Sequence, residues 1–341
     1  MIHNKKTFSQ CFLQNNPEPS IVTFGEIMMR LATENNDVFL QADRLALTFA
    51  GTEANVAVGL ANLGCKTKFV TKVPDNEIGN AALNSLRKYG VDTSLIVHGG
   101  KRLGVYFCEM GFGARGNRVI YDRENSSFAL SQNIEYDWDL IFTGISWFHL
   151  SGVTAALLPI DILLEALNKA RDKKIIISID YNYRSKLWTR KVMAETMQKL
   201  VPFADVLFCG ESDALDLLKQ QKREDIFKQL KDEYSIKIIA TTSRNNISAS
   251  KNEFSAKLYV GSEIFASKLY TTEVIDRFGA GDAFDCGLIY ALVKGYDYQK
   301  SINFATSASI LKLTTKGDFL LSKPEEIEKL VQSGEGEKID R

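Results

Sequence analysis

The chain has 341 residues, with 42 Lys+Arg against 42 Asp+Glu and therefore a formal charge of zero. A binder of long polyanions carries a basic excess to displace counterions, and a polybasic membrane anchor would tip the same sum, so the balance argues against nucleic-acid and membrane partners. The 45% hydrophobic and 25% charged fractions are those of a soluble globular protein and exclude a disordered chain.

Residues 1–20 (MIHNKKTFSQCFLQNNPEPS) read as a loose polar leader without the apolar core of a signal peptide. Ile21 to Ile27 (IVTFGEI) then reads as a first buried strand, because a short β-branched run meets a Gly-containing turn. Residues 53–63 have helical spacing, KTKFVTKV is a strand, and 77–88 is a helix with Gly90 beyond its C-terminus. Further strands are expected at 174–180 (KIIISID), 205–209 (DVLFC) and 236–242, with helices around 157–171, 190–200 and 211–231 between them. Strands apolar on both faces and separated by amphipathic helices predict an α/β, doubly wound, mostly parallel sheet covered on both sides. Residues 38–50 and 103–124 break the alternation and read as extended, with GVYFCEM pairing RVIYDR across GFGARGN. They predict a small antiparallel β flap, or lid, drawn from about 31–50 and 100–125 of a domain over 21–334, with 335–341 a frayed tail.

The five cysteines (Cys11, Cys65, Cys108, Cys209, Cys286) form no C-x-x-C pair, and His3, His98 and His149 complete no zinc cluster. No apolar run of about 18 residues occurs, so a cytoplasmic protein with reduced thiols is expected. Gly111 to Gly116 matches G-x-G-x-x-G, but that fingerprint needs a helix to start at the glycines, and NRVIYDR after it alternates like a strand. A hairpin turn is expected there, not a dinucleotide site.

The strongest local signal is Asp276-Arg277-Phe278-Gly279-Ala280-Gly281-Asp282. Apolar Ala280, Ala283, Phe284, Leu288 and Ala291 fall at helical spacing, so the glycines lie at a helix N-terminus. Free amides and the helix dipole make a pocket for an anion there, such as the oxyanion of phosphoryl transfer. On its own residues, Asp282 reads equally as a helix-start carboxylate or as a catalytic base.

This segment resembles the second signature of the ribokinase (PfkB) family of sugar kinases, D-x-x-G-A-G-D, and the similarity runs from about Ile21 to Arg341. The resemblance implies that Asp282 is the base and that Gly279, Ala280 and Gly281 form the anion hole. Ala50-Gly51-Thr52-Glu53-Ala54-Asn55 is similar to the first signature, G-G-x-x-x-N, which implies that Gly51 and Asn55 bind sugar hydroxyls; Ala50 departs from it by a methyl group. Without that context both residues read as a turn and a helix cap.

Within the family, FGEIMMRL, VIYDRENSSFA and SIDYNYRSKLW look most like the members that phosphorylate 2-keto-3-deoxygluconate. Tyr121 and Arg123 are two apart on one strand and Tyr106 can lie opposite, so one face carries two aromatics and a guanidinium. A guanidinium fork matches the carboxylate of a sugar acid, which makes Arg123 the expected specificity residue, although a solvated arginine on a flap is the simpler alternative. The resemblance places Asn182 and Arg184 at the phosphates, Arg184 also at the substrate, and Asp318 near the sugar; as a bare residue Asp318 is an ordinary turn aspartate. Trp188 reads as packing. The segment Thr241-Thr242-Ser243-Arg244 resembles that of a subgroup of these kinases, which implies Thr242 and Arg244 at the nucleotide. Where relatives carry N-x-x-E, this chain has Gly210-Glu211-Ser212-Asp213, so no metal ligand is assigned.

The implied activity is transfer of the γ-phosphoryl group of ATP, with Mg²⁺, to the C6 hydroxyl of 2-keto-3-deoxygluconate, with an ordinary aspartate pKa sufficing for the base. Alternatives are a fructokinase- or ribokinase-type enzyme of the same family, or a nucleotide-binding protein with lost catalysis. The family analogy also implies a homo-oligomer formed through the lid. The gluco and galacto epimers are not distinguished by these residues.

Overall fold

The computed structural model describes Phe8, residues 18–220 and residues 225–333. The chain opens with β1 (Ser20–Phe24), β2 (Met28–Ala32), β3 (Ala46–Ala50) and helix α1 (Thr52–Asn62). Next come β4 (Lys66–Val70), β5 (Lys72–Val73), α2 (Glu77–Arg87), β6 (Val97–His98) and the hairpin of β7 (Gly104–Glu109) and β8 (Arg118–Asp122). Its middle alternates α3 (Trp138–Ile141), β9 (Ile145–Ser151), α4 (Gly152–Leu157), α5 (Ile160–Asp172), β10 (Ile176–Asp180), α6 (Arg190–Leu200), β11 (Val206–Phe208), α7 (Glu211–Leu218) and α8 (Ile226–Tyr234). The last third holds β12 (Ile238–Ser248), β13 (Lys251–Val260), β14 (Glu263–Ala266), β15 (Tyr270–Glu273), α9 (Ala280–Val293), α10 (Tyr298–Leu313) and α11 (Pro324–Ser333).

The apolar runs become neighbours in one sheet ordered β14-β13-β12-β11-β10-β9-β1-β4, parallel from β12 to β4 and antiparallel beyond β12. Strand β9 shows why both faces are covered. Phe148 and Leu150 enter the core beneath α5 and α6, whereas Trp147 enters the opposite core with α9 and α10. Phe24, at the end of β1, packs edge-on against Phe128, Tyr136 and Trp138 at 5.4, 5.0 and 5.1 Å, which seats the segment following the lid. A parallel sheet leaves its loops at the carboxyl ends of the strands, and those ends supply Asp180 and the turns that follow β1, β10, β11 and β12.

The lid is a separate four-stranded sheet ordered β3-β2-β7-β8. Its outer pairs are antiparallel and its central pair, β2 with β7, is parallel. Gly111 to Gly116 lies between β7 and β8 and includes a bridge from Phe112 to Arg115, so the glycine fingerprint is a hairpin turn. Residues 38–45, expected to be extended, turn back on themselves, with Gln41 N and Ala42 N donating to Val38 O at 3.0 and 3.1 Å; the sheet takes Met28–Ala32 in their place. Phe8, in the expected loose leader, is buried with its ring 5.7 Å from that of Trp147; the rest of the leader to residue 17 and the tail from 334 lie outside the described residues. No helix among the described residues is long and apolar enough to cross a membrane.

Alternation along β2 turns Met28, Arg30 and Ala32 inward, and Arg30 is 3% exposed. Its guanidinium donates to Asp276 Oδ2 at 2.7 Å and to Asp318 Oδ1, and lies 4.9 Å over the Phe278 ring. Arg30 thus anchors the lid to two loops of the body. Arg30→Met would leave both carboxylates buried without their main cation, and a loss of about 3–5 kcal/mol of stability is expected, read from urea denaturation of the variant beside wild type.

Candidate active site

Gly279 is the N-cap of α9 at φ +76, and a Cβ there would lie 1.8 Å from the Asp318 carbonyl oxygen. Both facts demand glycine. The first helical bond is Ala283 N to Gly279 O at 2.8 Å, so the amides before it have no helical partner. A Cβ on Gly281 would meet nothing within 4 Å, which leaves this helix start open to a ligand.

Asp282, one residue further, is 7% exposed. The Asn55 side-chain amide donates to its Oδ2 at 2.6 Å, and Asn55 Oδ1 in turn accepts from Gly51 N at 3.2 Å. The two signature segments therefore meet directly, because α1 and α9 present their N-termini to one another. Gly51 is required by close approach alone, since its φ of 178° is extended backbone: a Cβ would lie 1.9 Å from the Glu26 carbonyl oxygen. The departure at Ala50 is absorbed, since its methyl is buried in the lid core with Met28, Tyr106 and Cys108. Burial pushes Asp282 up to about 7, against the lowering effects of Asn55 and Arg184. The expectation of an ordinary aspartate is thus corrected, and the cause is desolvation beneath the lid.

A cavity of about 470 Å³ opens between lid and body. The body lines it with Gly51, Asn55, Arg184, Asp282 and Asp318, the lid side with Tyr106, Tyr121 and Arg123. All the residues expected at the sugar are therefore together. Tyr106 pairs with Tyr121 across β7 and β8, as expected, and its hydroxyl donates to Asp318 Oδ2 at 3.0 Å. Arg123 is buried, not a solvated flap residue, yet it is not free either: it donates through Nη2 to Glu26 Oε2, and Ser126 Oγ holds Oε1 of the same carboxylate. Arg123 Nε is buried without a hydrogen-bond partner. Lys186, on the same wall, lies 5.8 Å over the Tyr121 ring.

A second cavity, of about 530 Å³, adjoins the first and is bordered by Asn182, Thr242, Arg244 and the loop of Gly279, Ala280 and Gly281. Arg184, Gly279 and Asp282 border both, so the carboxylate of Asp282 stands at their junction. Asn182 takes a left-handed φ of 45° after its amide donates to Asp180 Oδ1 at 3.1 Å. Arg244 is exposed, with its guanidinium 5.6 Å over Phe254. Asp180 and Asp285 lie within hydrogen-bonding reach of each other on this wall, and burial raises both. Asp285 Oδ2 is buried without a partner. Asp213 accepts from Gly210 N at 2.9 Å and from Arg190 at 3.1 Å, which commits it to capping α7. Among the described residues no cluster of three or more His, Cys, Asp or Glu is arranged to hold a metal by itself. Trp188 packs against the core, as expected.

Several site residues escape sequence reasoning. Glu26 lies in the stretch read as a first buried strand and Arg30 beyond it, and only the alternation of Met28, Arg30 and Ala32 pointed to a buried cation. Asp285 sits one helical turn after Asp282, so i, i+3 spacing placed it on the same face. Arg277 reaches back to Asn246 Oδ1 at 3.0 Å and Asn252 Oδ1 at 3.2 Å, pinning the β12–β13 hairpin beside the second cavity; no local pattern signals that contact.

Residues 18–324 match the pfkB family carbohydrate kinases. A crystal structure of 2-dehydro-3-deoxygluconokinase from Thermotoga maritima is 39% identical with a TM-score of 0.90, covering 93% of this chain and 100% of that one. A 2-dehydro-3-deoxygalactonokinase of Haloferax volcanii is 28% identical over 94% of this chain and 99% of its own length. A 2-dehydro-3-deoxygluconokinase of Bacillus subtilis is 27% identical over 87% and 90%.

The raised pKa of Asp282 has a consequence for stability. A carboxyl whose folded-state pKa exceeds its unfolded value contributes fully below the unfolded value, about 4, and that contribution is lost as pH rises through about 7. Wild type should therefore lose more thermal stability than Asp282→Asn between pH 5 and pH 8 in the absence of ligands, a difference read from paired melting curves.

Proposed function

This chain belongs to the pfkB family of carbohydrate kinases, and from that premise we propose that it transfers the γ-phosphoryl group of ATP to the C6 hydroxyl of 2-keto-3-deoxygluconate, also called 2-dehydro-3-deoxygluconate. The observation that carries the reading is the position of Asp282 at the junction of the two cavities. Sugar acid occupies the lid cavity and ATP the cavity beside Thr242 and Arg244.

In this reading the C6 oxygen attacks the γ-phosphorus, its proton passes to the Asp282 carboxylate, and the bond from phosphorus to the β–γ bridging oxygen breaks to release ADP. A base near pKa 7 is matched to neutral pH and takes the proton more readily than an ordinary aspartate. Asn55 orients the carboxylate by holding Oδ2, leaving Oδ1 toward the acceptor. The amides of the Gly279–Gly281 loop face the charge that spreads over the phosphoryl oxygens, and Arg184 joins the two substrates from the opposite wall. Asp180 and Asp285, on the wall of the second cavity, are the carboxylates that would hold Mg²⁺, which would supply neutralisation of phosphate charge. The lid, pinned by Arg30 and by the Tyr106–Asp318 bond, excludes water that would hydrolyse ATP.

A sugar carboxylate would take the fork edge of Arg123 that Glu26 leaves open, with Lys186 nearby. Both epimers at C4 are compatible with that contact. The same reading includes a homo-oligomer through the lid, supported by an outer-face row of Leu47, Leu31, Phe107 and Ile120 in register across all four strands. Leu47 and Ile120 are more than half exposed.

ADP release with 2-keto-3-deoxygluconate, its galacto epimer, fructose and ribose tests the substrate class; turnover of the neutral sugars above the acids would overturn it. Asp282→Asn should keep substrate binding and lose about 100- to 10,000-fold in kcat, and wild-type kcat/KM should fall as pH drops below about 7. Arg123→Ala should raise KM for the sugar acids, with the small activity on neutral sugars unchanged. Ile120→Asp should lower the sedimentation mass if the lid row joins two copies, and leave it unaltered if it does not.

A further inference from the structure

Tyr121, on the outer strand of the lid, has two cations beside its ring. The Arg123 guanidinium lies 5.7 Å from the ring centroid and the Lys186 ammonium 5.8 Å. All three side chains line the cavity between lid and body. An aromatic face attracts a cation, which helps to hold near one ring two like charges that repel each other. One carboxylate answers them, and it belongs to Arg123: Glu26 pairs with the guanidinium. Among the described residues Lys186 forms no ion pair, and its Nζ donates instead to the main-chain carbonyl of Val119, on the same strand as Tyr121.

The other charges of the cavity wall are committed elsewhere. Asp318 is held by Arg30 and by the Tyr106 hydroxyl. Arg184 faces the buried carboxyls of Asp180 and Asp282 and favours their charge. Two cations and one carboxylate therefore leave a single positive charge unanswered on the Tyr121 wall, and a ligand with one carboxylate cancels it. The loop after β10 fixes where that charge stands: Leu187 N donates to Arg184 O at 2.9 Å and Trp188 packs against the core, so the turn that carries Lys186 is anchored from behind. An ammonium has three donors, of which the Val119 carbonyl takes one.

We propose that Lys186 is a specificity-determining residue whose ammonium bridges the Val119 carbonyl of the lid and the carboxylate of a sugar-acid substrate, so that an acidic ligand both cancels the charge of this wall and ties the lid edge to the loop after β10. The proposal rests on the kinase reading above, which places the sugar acid in this cavity, and deepens it. Arg123 gives the carboxylate a direction, whereas Lys186 supplies the charge that no protein group offsets.

The test measures Kd by calorimetry, without ATP, for 2-keto-3-deoxygluconate and for its neutral counterpart in which a hydroxymethyl group replaces the carboxylate, in wild type, Lys186→Met and Lys186→Arg. Lys186 is exposed, so neither substitution disturbs the core. Wild type should bind the acid more tightly than the neutral sugar. That preference should shrink about 10-fold or more in Lys186→Met and persist in Lys186→Arg, which keeps the charge. Added salt should weaken acid binding by wild type and have much less effect on Lys186→Met. A wild type without preference for the acid, a Lys186→Met that keeps the wild-type preference, or one that loses acid and neutral sugar equally, as a mere lid latch would, each overturns the proposal. So does a Lys186→Arg that behaves like Lys186→Met. A wild type that shows the expected pattern of binding yet releases no ADP with either sugar would refute the transfer of phosphate and leave the recognition of the acid by Lys186 standing.

Discussion

Arg30 reaches from the inner face of the lid into a buried space where Asp276 and Asp318 arrive from two separate loops, and the site depends on that meeting. A guanidinium taken out of water must be matched by carboxylates of good geometry, and each carboxylate must be matched in turn. Asp276 satisfies its remaining capacity with the amides of Phe278 and Gly317, at 3.1 and 3.0 Å. Asp318 takes the Tyr106 hydroxyl. One ion network therefore fixes the lid strand, the turn before α9 and the loop that abuts Gly279. Without it, no local preference of those loops would bring Gly279 within reach of the Asp318 carbonyl.

The electrostatics of the rest of the site follow from the same enclosure. Asp282, Asp180 and Asp285 are crowded under the lid and the sheet end, and burial raises all three. The free protein thus holds acidic groups in an environment that disfavours their charge, and the cost is recovered where cationic and hydrogen-bonding partners fill the cavities. Arg123 shows the opposite arrangement: Glu26 offsets its charge, which allows a guanidinium to stay buried at the rim of the cavity.

Much of this was legible in the sequence where the information is local. The alternation of apolar strands and amphipathic helices implied the parallel sheet, the β-branched residues after Gly116 identified a hairpin, and the spacing from Ala280 to Ala291 put the glycines at a helix start. The stretch at 38–45 misled because its apolar residues Val38, Phe39, Leu40 and Leu45 read as extended, whereas the Val38 carbonyl closes a turn with the amides of Gln41 and Ala42. The charged partners were the least legible. Nothing near Arg30 in the chain names Asp276 or Asp318, which lie 246 and 288 residues away, and nothing near Asp282 names Asn55, 227 residues before it.

The zero net charge excluded a long polyanion, and the sequence by itself determined the layers of the fold, the glycine loop and the residue types that a small anionic ligand would need. Period and turn chemistry are properties of neighbouring residues, so a linear reading reaches them. Only the tertiary structure decided that Asp282 sits near pKa 7, that Arg123 is paired with Glu26, and that a buried Lys312 bridges two carbonyls. Those outcomes depend on desolvation and on charges within a few ångströms, and both are set by which distant segments the fold brings together.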